Sequence, residues 1–485
     1  MSLCNRYSKR TAFLMPNRSI FHALLVVLVG LCFSGAAMAR ADEKPRVFVL
    51  TDISNEPDDE ESLVRLLVYS NEYDIEGLVA TTSTWLKKGT REDLIRRDLA
   101  AYAEVRPNLL KHAPGFPTVE TLLAATCTGQ TAYGMACVGD GQSTAGSKYL
   151  AAVVDRPDAR PVWVTVWGGA NTLAQTLWDV RAMRTPEELA RFVAKLRVYS
   201  VSDQDDAGPW LRREFPGLFY IVSPSRPDGN EYFRATWTGI SGDRQYKNGP
   251  RHKFDLVDNP WIEEHVIKNH GALGALYPRL AYIMEGDTPT FLGLIDHGLG
   301  WTTSPAFGGW GGRYVLYQPL SETRPIWTNN QASRDTVTAG NGQTETTDSA
   351  TIWRWREHFQ NDFAARMDWC VADAFEKANH NPQPVLNGDR TKNVLTLPAK
   401  GGTDVTLSAK GTSDPDPNAV HVSWWIYAEA GTVKGATLTA ADGLTTVVHV
   451  PAVTKPGTLH VILQAEDDGN PHLFAYRRAV LEVTP

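Results

Sequence analysis

One stretch near the start of this chain limits its fold more than any other. Residues 47–50 (Val-Phe-Val-Leu) form an apolar run of the kind that makes a buried strand, and Leu63, Leu66 and Leu67 then recur at helical spacing. Between them lies a polar turn carrying Asp52, Asn55, Glu56, Asp58 and Asp59. The acids therefore sit on a strand-to-helix loop, at the carboxyl end of a strand, where open α/β sheets bind their ligands. Four carboxylates within eight residues repel one another unless a positive charge lies between them. Two readings compete. In one the loop is solvated, and Asp58 and Asp59 favour the helix N-terminus through its dipole. In the other the acids hold a hard cation, since Ca²⁺ and Mg²⁺ select carboxylate oxygens.

The same grammar repeats downstream. Strands are expected at 75–81, 161–167, 197–201 and 219–222, each running into a polar loop, with helices at 91–105, 172–183 and 186–196. The loops include Thr81-Thr-Ser-Thr-Trp85, Gly168-Gly169 with Asn171, and Ser202-Asp-Gln-Asp-Asp206. Strand–loop–helix units imply parallel pairing and right-handed crossovers. The fold class is thus α/β, a doubly wound, mainly parallel sheet with its polar loops on one edge. Further helical segments are expected at 255–283 and, as one long amphipathic helix, at 351–377. After Pro382 and Pro384 the helical periods stop. Strands at 405–408, 420–427, 445–450, 459–465 and 474–483 predict an all-β, immunoglobulin-like sandwich. Trp424 and Trp425 are adjacent on one strand and so face opposite sides, one toward the core and the other free to be exposed.

Length agrees with this division, because 485 residues exceed one typical domain. The expected organisation is a targeting segment over 1–41, an α/β domain over 44–381 and the sandwich over 382–485. Arg6, Lys9, Arg10 and Arg18 precede an apolar region at 20–33, and Ala37-Met-Ala39 supplies a cleavage pattern. The apolar region is short for a membrane span. Periplasmic or extracellular export is therefore expected, with no membrane association beyond the signal. A net charge of −7 provides no basic footprint for nucleic acid. In an oxidising compartment Cys127 and Cys137, bracketing a Gly-rich loop, are candidates for a disulfide, whereas Cys370 reads as a buried thiol. No spacing suggests zinc.

Strand–Asp–x₅–Asp-Asp–helix, the strand leading to Gly168-Gly-Ala-Asn171, and a late Gly286-Asp-Thr-Pro289 together resemble the nucleoside hydrolase fold. The match is closer to a secreted bacterial nucleoside-hydrolase-like family with a cellulose-binding label and an Ig-like C-terminal domain. Its hallmarks are similar to Thr51-Asp-Ile-Ser-Asn-Glu-Pro-Asp-Asp59, Glu285-Gly-Asp-Thr-Pro289 and Gly308-Gly-Trp-Gly-Gly-Arg313. The resemblance implies a Ca²⁺ ion held by Asp52, Asp59, the carbonyl of Trp167 and Asp287. It makes Asp52 the general base toward a water prepared by the ion. Asp58 would grip sugar hydroxyls; a purely structural Ca²⁺ is the competing reading.

The chain also departs from that pattern. Leu50 stands where nucleoside hydrolases carry an Asp, Thr82-Ser-Thr-Trp85 replaces an Asn-bearing loop, and Gly286 stands where many members have a leaving-group His. A sugar leaving group is the natural substitute for a base, with Glu56 or Glu285 as candidate acids. Further candidates for contact with substrate are Asn55, Trp85, Asn171, Trp310 and Arg313, with Arg234 and Trp237 behind them; the tryptophans could equally be core. The preferred expectation is a secreted Ca²⁺-dependent hydrolase of glycosyl bonds acting on a carbohydrate. The alternative is a non-catalytic polysaccharide (cellulose)-binding protein, and a nucleoside scavenger fits the departures poorly.

Overall fold

The computed structural model describes residues 43–54, 56–223, 232–320 and 322–485, so the expected targeting segment and Asn55 lie outside the described residues. Lys44–Pro485 forms a single compact unit. Its frame is set by β1 (Arg46–Thr51), buried along its whole length, as a strand covered by helices on both faces must be. Alternation divides the side chains: Val47 and Val49 enter one apolar cluster, Phe48 and Leu50 the other. The helix α1 (Asp58–Val68) packs into the first cluster and carries four acids in its first turn, where the helix dipole favours them.

In chain order the sheet adds β2 (Asp74–Ala80), β3 (Thr126–Thr128), β4 (Val162–Val166), β5 (Leu196–Ser200), β6 (Phe219–Val222), β7 (Val315–Tyr317) and β8 (Ile326–Thr328). Their spatial order is β3-β2-β1-β4-β5-β6-β8-β7, with every pair parallel except β7 against β8. Succession reverses between β1 and β4, so the loops leaving these two strands diverge and open a crevice at their carboxyl ends. The mainly parallel, doubly wound sheet is as expected.

Helices in the second half are shorter than the periodicity suggested. The segment 255–283 holds Asn259–Ile262, continued by a π-helical turn over Glu263–Ile267, and Gly271–Leu276, with Asn269 and Gly271 at φ +66° and +73° where the chain turns between them. The expected 351–377 helix is divided into Ala350–Trp353 and Arg356–Trp369. Arg356 is drawn inward there, pairing with Asp243 at 2.5 Å and donating to the carbonyls of Ile240 and Gly239. Such long-range anchoring overrides a local repeat.

After the hairpin β9 (Asp335–Thr338) and β10 (Thr344–Thr347) comes the all-β domain: β11 (Leu395–Lys400), β12 (Asp404–Ser408), β13 (Val420–Ile426), β14 (Thr437–Leu438), β15 (Thr445–His449), β16 (Gly457–Asp467) and β17 (Phe474–Thr484). The sheets β11-β17-β16-β13 and β12-β15-β14 share a core including Leu407, Trp424, Val448 and Leu463. Trp424 is the one that enters the core, and Trp425 on the opposite side packs on Trp355 of the α/β domain, ring centres 5.7 Å apart. Around it Tyr427 donates to Asp335 (2.6 Å), the Tyr476 amide donates to the His297 carbonyl (3.0 Å), and Arg478 donates to the Leu299 carbonyl (2.7 Å). The sandwich is thus fastened to the α/β domain by aromatic packing and buried hydrogen bonds.

Candidate active site

The crevice beside β1 and β4 is an acidic pocket of about 130 Å³. The loop after β1 contributes Asp52, Glu56, Asp58 and Asp59; the loops after β2, β4 and β5 contribute Trp85, Trp167 and Gln204. Tyr232, Trp237, Tyr246 and Asp287 close it from the segment between β6 and β7. Sheet topology thus joins residues more than two hundred positions apart, as the resemblance implied for Asp52, Asp59 and Asp287.

The carboxylate oxygens of Asp58, Asp59 and Asp287 lie within 4.8 Å of one another. Asp58 belongs to this tightest group, whereas Asp52 stands beside it. Ser83 Oγ donates to Asp52 Oδ2 and accepts from the amides of Trp85 (2.9 Å) and Leu86 (3.0 Å), which fixes the Asp52 rotamer. Thr51 Oγ1 donates to Asp59 in the same way. Two glycines permit the close approach. A Cβ on Gly168 would lie 2.4 Å from Asp52 Oδ1, and one on Gly286 would lie 2.8 Å from Asp58 Oδ2. A side chain at the position where the resembling family carries a histidine would therefore require the Asp58 carboxylate to shift.

No Lys, Arg or His lines this pocket among the described residues. Burial, together with mutual repulsion among the acids, pushes Asp58 up to about 8 and holds Asp59 and Asp287 well above the usual carboxylate range. Burial also raises Asp52 and Glu56, the latter aided by the Asp52 charge. Asp287 Oδ2 is buried with no hydrogen-bond partner among the described residues. A group of hard oxygen donors with an orphaned carboxylate oxygen and no compensating positive charge fits a divalent cation of the Ca²⁺ type. Trp167 lines the same pocket, and its carbonyl accepts from Gln204 Nε2, leaving Gln204 Oε1 without a partner among the described residues.

Trp85 is at the pocket mouth, 46% exposed, with its ring 6.5 Å from that of Tyr232, and Trp237 forms part of the wall. Other expected site residues are elsewhere. Asn171 is spent on structure: its Nδ2 donates to Thr82 Oγ1 (3.0 Å) and to the Ala132 carbonyl (2.8 Å). Trp310, only 1% exposed, packs on His297 and Phe359, and Arg313 is buried against Asp335 at 2.8 Å. The Gly-Gly-Trp-Gly-Gly-Arg loop is therefore a core plug, whose glycines let it fit between packed segments, and not a sugar platform. Glu285 is enclosed by Arg65 (2.5 Å), Tyr277 (2.6 Å) and Thr288 (2.8 Å), which removes it as a leaving-group acid. Arg234 is not among the lining residues. The expected Cys127–Cys137 disulfide is absent: both are free thiols, Cys137 Sγ donating to the Ala132 carbonyl at 2.8 Å. Cys370 is a buried free thiol, as expected.

Sequence reasoning passed over Gln204, Ser83, Tyr232 and Tyr246. Ser83 and Gln204 did stand in polar loops at strand ends, which was the available signal; the two tyrosines lie in the short helical turns Tyr232–Arg234 and Gly242–Tyr246, which carried none.

Residues 46–314 match the family model described as cellulose-binding Sde182, nucleoside hydrolase-like domain. Residues 404–483 match that of the cellulose-binding protein Sde0182, C-terminal domain. A solved nucleoside hydrolase-related hypothetical protein from Saccharophagus degradans, described as associated with carbohydrate metabolism, is 37% identical. It aligns over 91% of this chain and all of its own length with a TM-score of 0.78. The effector protein XOO4466 is 12% identical over 68% of this chain and 95% of its own, with a TM-score of 0.32. The PKD domain of the KIAA 1837 protein is 15% identical over 22% of this chain and 95% of its own, at 0.17. No curated protein matches the chain. A nucleoside-hydrolase-like α/β domain with its acidic pocket, followed by the matching all-β domain, places this chain in the cellulose-binding Sde182 family.

Proposed function

We propose that the chain is an exported, Ca²⁺-dependent hydrolase of glycosyl bonds acting on a carbohydrate. The observation that supports it is the convergence of five carboxyl groups in one pocket with no cationic side chain lining it among the described residues. Asp58, Asp59, Asp287 and the Trp167 carbonyl would hold the cation, with Asp52 alongside. Bound Ca²⁺ acidifies water and takes sugar hydroxyls among its oxygen ligands. Asp52, held in place by Ser83, takes the proton from the attacking water. The surrounding carboxylates favour the positive charge that develops on the sugar as the glycosyl bond opens. Trp85 and Trp237 offer aromatic surface to a sugar ring. With Glu285 locked to Arg65, Glu56 is the remaining pocket carboxyl able to protonate a sugar leaving group. Export rests on the 1–41 segment.

A second reading, a polysaccharide-binding protein without turnover, draws on Gly286, which supplies no side-chain acid beside Asp58, and on the family's cellulose-binding description. One experiment separates the two. Wild type and Asp52→Asn are incubated with Ca²⁺ and a panel of plant polysaccharides and oligosaccharides, and both reducing-end release and retention on the insoluble glycans are measured. Release by wild type that stops in Asp52→Asn, with retention kept, supports hydrolysis. Retention without release from any panel member supports the binding reading.

A further inference from the structure

The sandwich carries acids of its own at the end where the linker enters it. The turn Ser413-Asp-Pro-Asp-Pro-Asn418 leads into β13, and Asp467-Asp-Gly-Asn-Pro471 leaves the end of β16. Antiparallel pairing of these strands sets Val420 opposite Asp467. The Ala419 amide donates to Asp468 Oδ1 (2.8 Å), and the Asp468 amide donates to the Ala419 carbonyl (3.1 Å). The two acidic turns are thereby brought side by side.

Two carboxylates there each spend one oxygen on structure and leave the other buried and unused. Asp467, only 2% exposed, accepts through Oδ1 from Asn379 Nδ2 (3.0 Å) and from the amides of Gly469 (2.9 Å) and Leu473 (3.0 Å). Three donors on one oxygen fix this side chain, yet Oδ2 has no partner among the described residues. Asp414 Oδ1 accepts from the Asp416 amide (2.8 Å), and Asp414 Oδ2 is likewise buried without a partner there. An unpaired buried polar group costs roughly 1–3 kcal/mol, and a charged one more.

Charge shows that these two acids belong together. Burial pushes Asp414 up to about 6, and among its acidic neighbours Asp467 presses on it harder than Asp416 of its own turn. Neither Asp414 nor Asp467 has a salt bridge among the described residues, whereas Asp416 is committed to His380 at 3.0 Å. His472, which eases Asp467, directs Nδ1 to its main-chain carbonyl (2.8 Å). Oxygens closed to water are not closed to a bare cation. Ca²⁺ sits about 2.3–2.6 Å from its oxygen ligands, closer than the roughly 2.7–3.0 Å of a hydrogen bond to water.

We propose that Asp414 and Asp467 hold a Ca²⁺ ion of the sandwich's own, completed by water and separate from the acidic pocket. Asn379 of the linker stands behind it, donating to Asp467 and to the Pro471 carbonyl (2.8 Å) and accepting from Asn418 (2.7 Å), so the ion draws both turns onto the linker. Two carboxylates place it with the weak sites of extracellular modules, at a Kd of ~10⁻⁴–10⁻³ M. The proposal does not depend on the hydrolytic reading.

The test uses the full chain carrying Asp59→Asn and Asp287→Asn, which disables the acidic pocket. After EDTA treatment it is titrated calorimetrically with CaCl₂, and thermal midpoints are followed in parallel. One ion per chain is expected, with a midpoint that rises with Ca²⁺ concentration. Adding Asp467→Asn, or separately Asp414→Asn, should weaken uptake by at least about tenfold. Asparagine keeps the structural acceptor and removes one of two repelling charges, so neither variant should melt below its parent when Ca²⁺ is absent. No uptake by the parent up to ~10 mM, ten times the weakest Kd of that class, overturns the proposal; a proton shared by the two carboxyls would give that result. Uptake as tight in both variants as in the parent overturns it equally. Absence of glycan hydrolysis in the Asp52 experiment would leave this result untouched.

Discussion

Replacing Glu285 by Gln discriminates between a catalytic and a structural carboxylate. Glu285 sits in the Glu-Gly-Asp-Thr-Pro motif two positions from Asp287, so a loss of activity alone would be ambiguous. Its oxygens receive Arg65, Tyr277 and Thr288, and Arg65 is fully buried with Gln360 and the Phe359 carbonyl as its other partners. Removing one charge of a buried ion pair generally costs ~3–5 kcal/mol. Glu61 lies close enough to repel Glu285 and to be drawn by Arg65, so it takes over part of the Arg65 charge. The cost should accordingly fall at the lower end, about 3 kcal/mol. Unfolding entropy of ~2.1 cal/mol/K per residue makes 1 kcal/mol worth about 1 °C in a unit as long as Lys44–Pro485. The expected result by scanning fluorimetry and urea titration is a midpoint lowered by about 3 °C with the Ca²⁺ response retained. Unchanged stability with lost glycan cleavage would refute the structural assignment and return Glu285 to the chemistry.

Other expectations follow from the same structure. Trp85→Ala should leave folding unchanged and weaken binding of the carbohydrate that the pocket accepts by about tenfold, or ~1.4 kcal/mol, read as KM or Kd. His460 is pushed down to about 3 by burial and by Arg478, and its Nδ1 accepts from Arg478 at 2.9 Å, so the fold keeps it neutral. Below an unfolded value of ~6.5 the unfolded chain takes up a proton that the folded one refuses until about pH 3, so His460 costs ~1.4 kcal/mol of stability per pH unit as pH falls. The stability advantage of wild type over His460→Asn should shrink by that slope, measured by urea unfolding between pH 6.5 and 4.5. Denatured, unreduced mature protein should react with thiol reagent at Cys127, Cys137 and Cys370 alike; protection of the first two would signal a bridge.

What could be read in advance depended on how local each signal was. Strand, acidic turn and helix at 46–68 lie within one short stretch, and the unbroken burial of Val47 to Leu50, shared alternately between two apolar clusters, bears that pattern out. Asp287 was reachable only through a motif resemblance, because nothing local tells a late Asp that it will meet Asp59. Trp310 and Arg313 show the opposite case. Glycines around an aromatic and an arginine suit an open binding loop and a tightly packed plug equally well, and the choice is made by His297, Phe359 and Asp335, which no spacing reveals. Trp425 likewise acquires its partner from another domain.

Calcium titration of the EDTA-treated protein is the most direct measurement of whether the acids form one cation site. One ion per chain should bind to wild type at these acids, and Asp59→Asn and Asp287→Asn should each weaken it by at least about tenfold without unfolding the protein. A wild type that takes up no ion, or variants that bind it as tightly as wild type, would contradict the account.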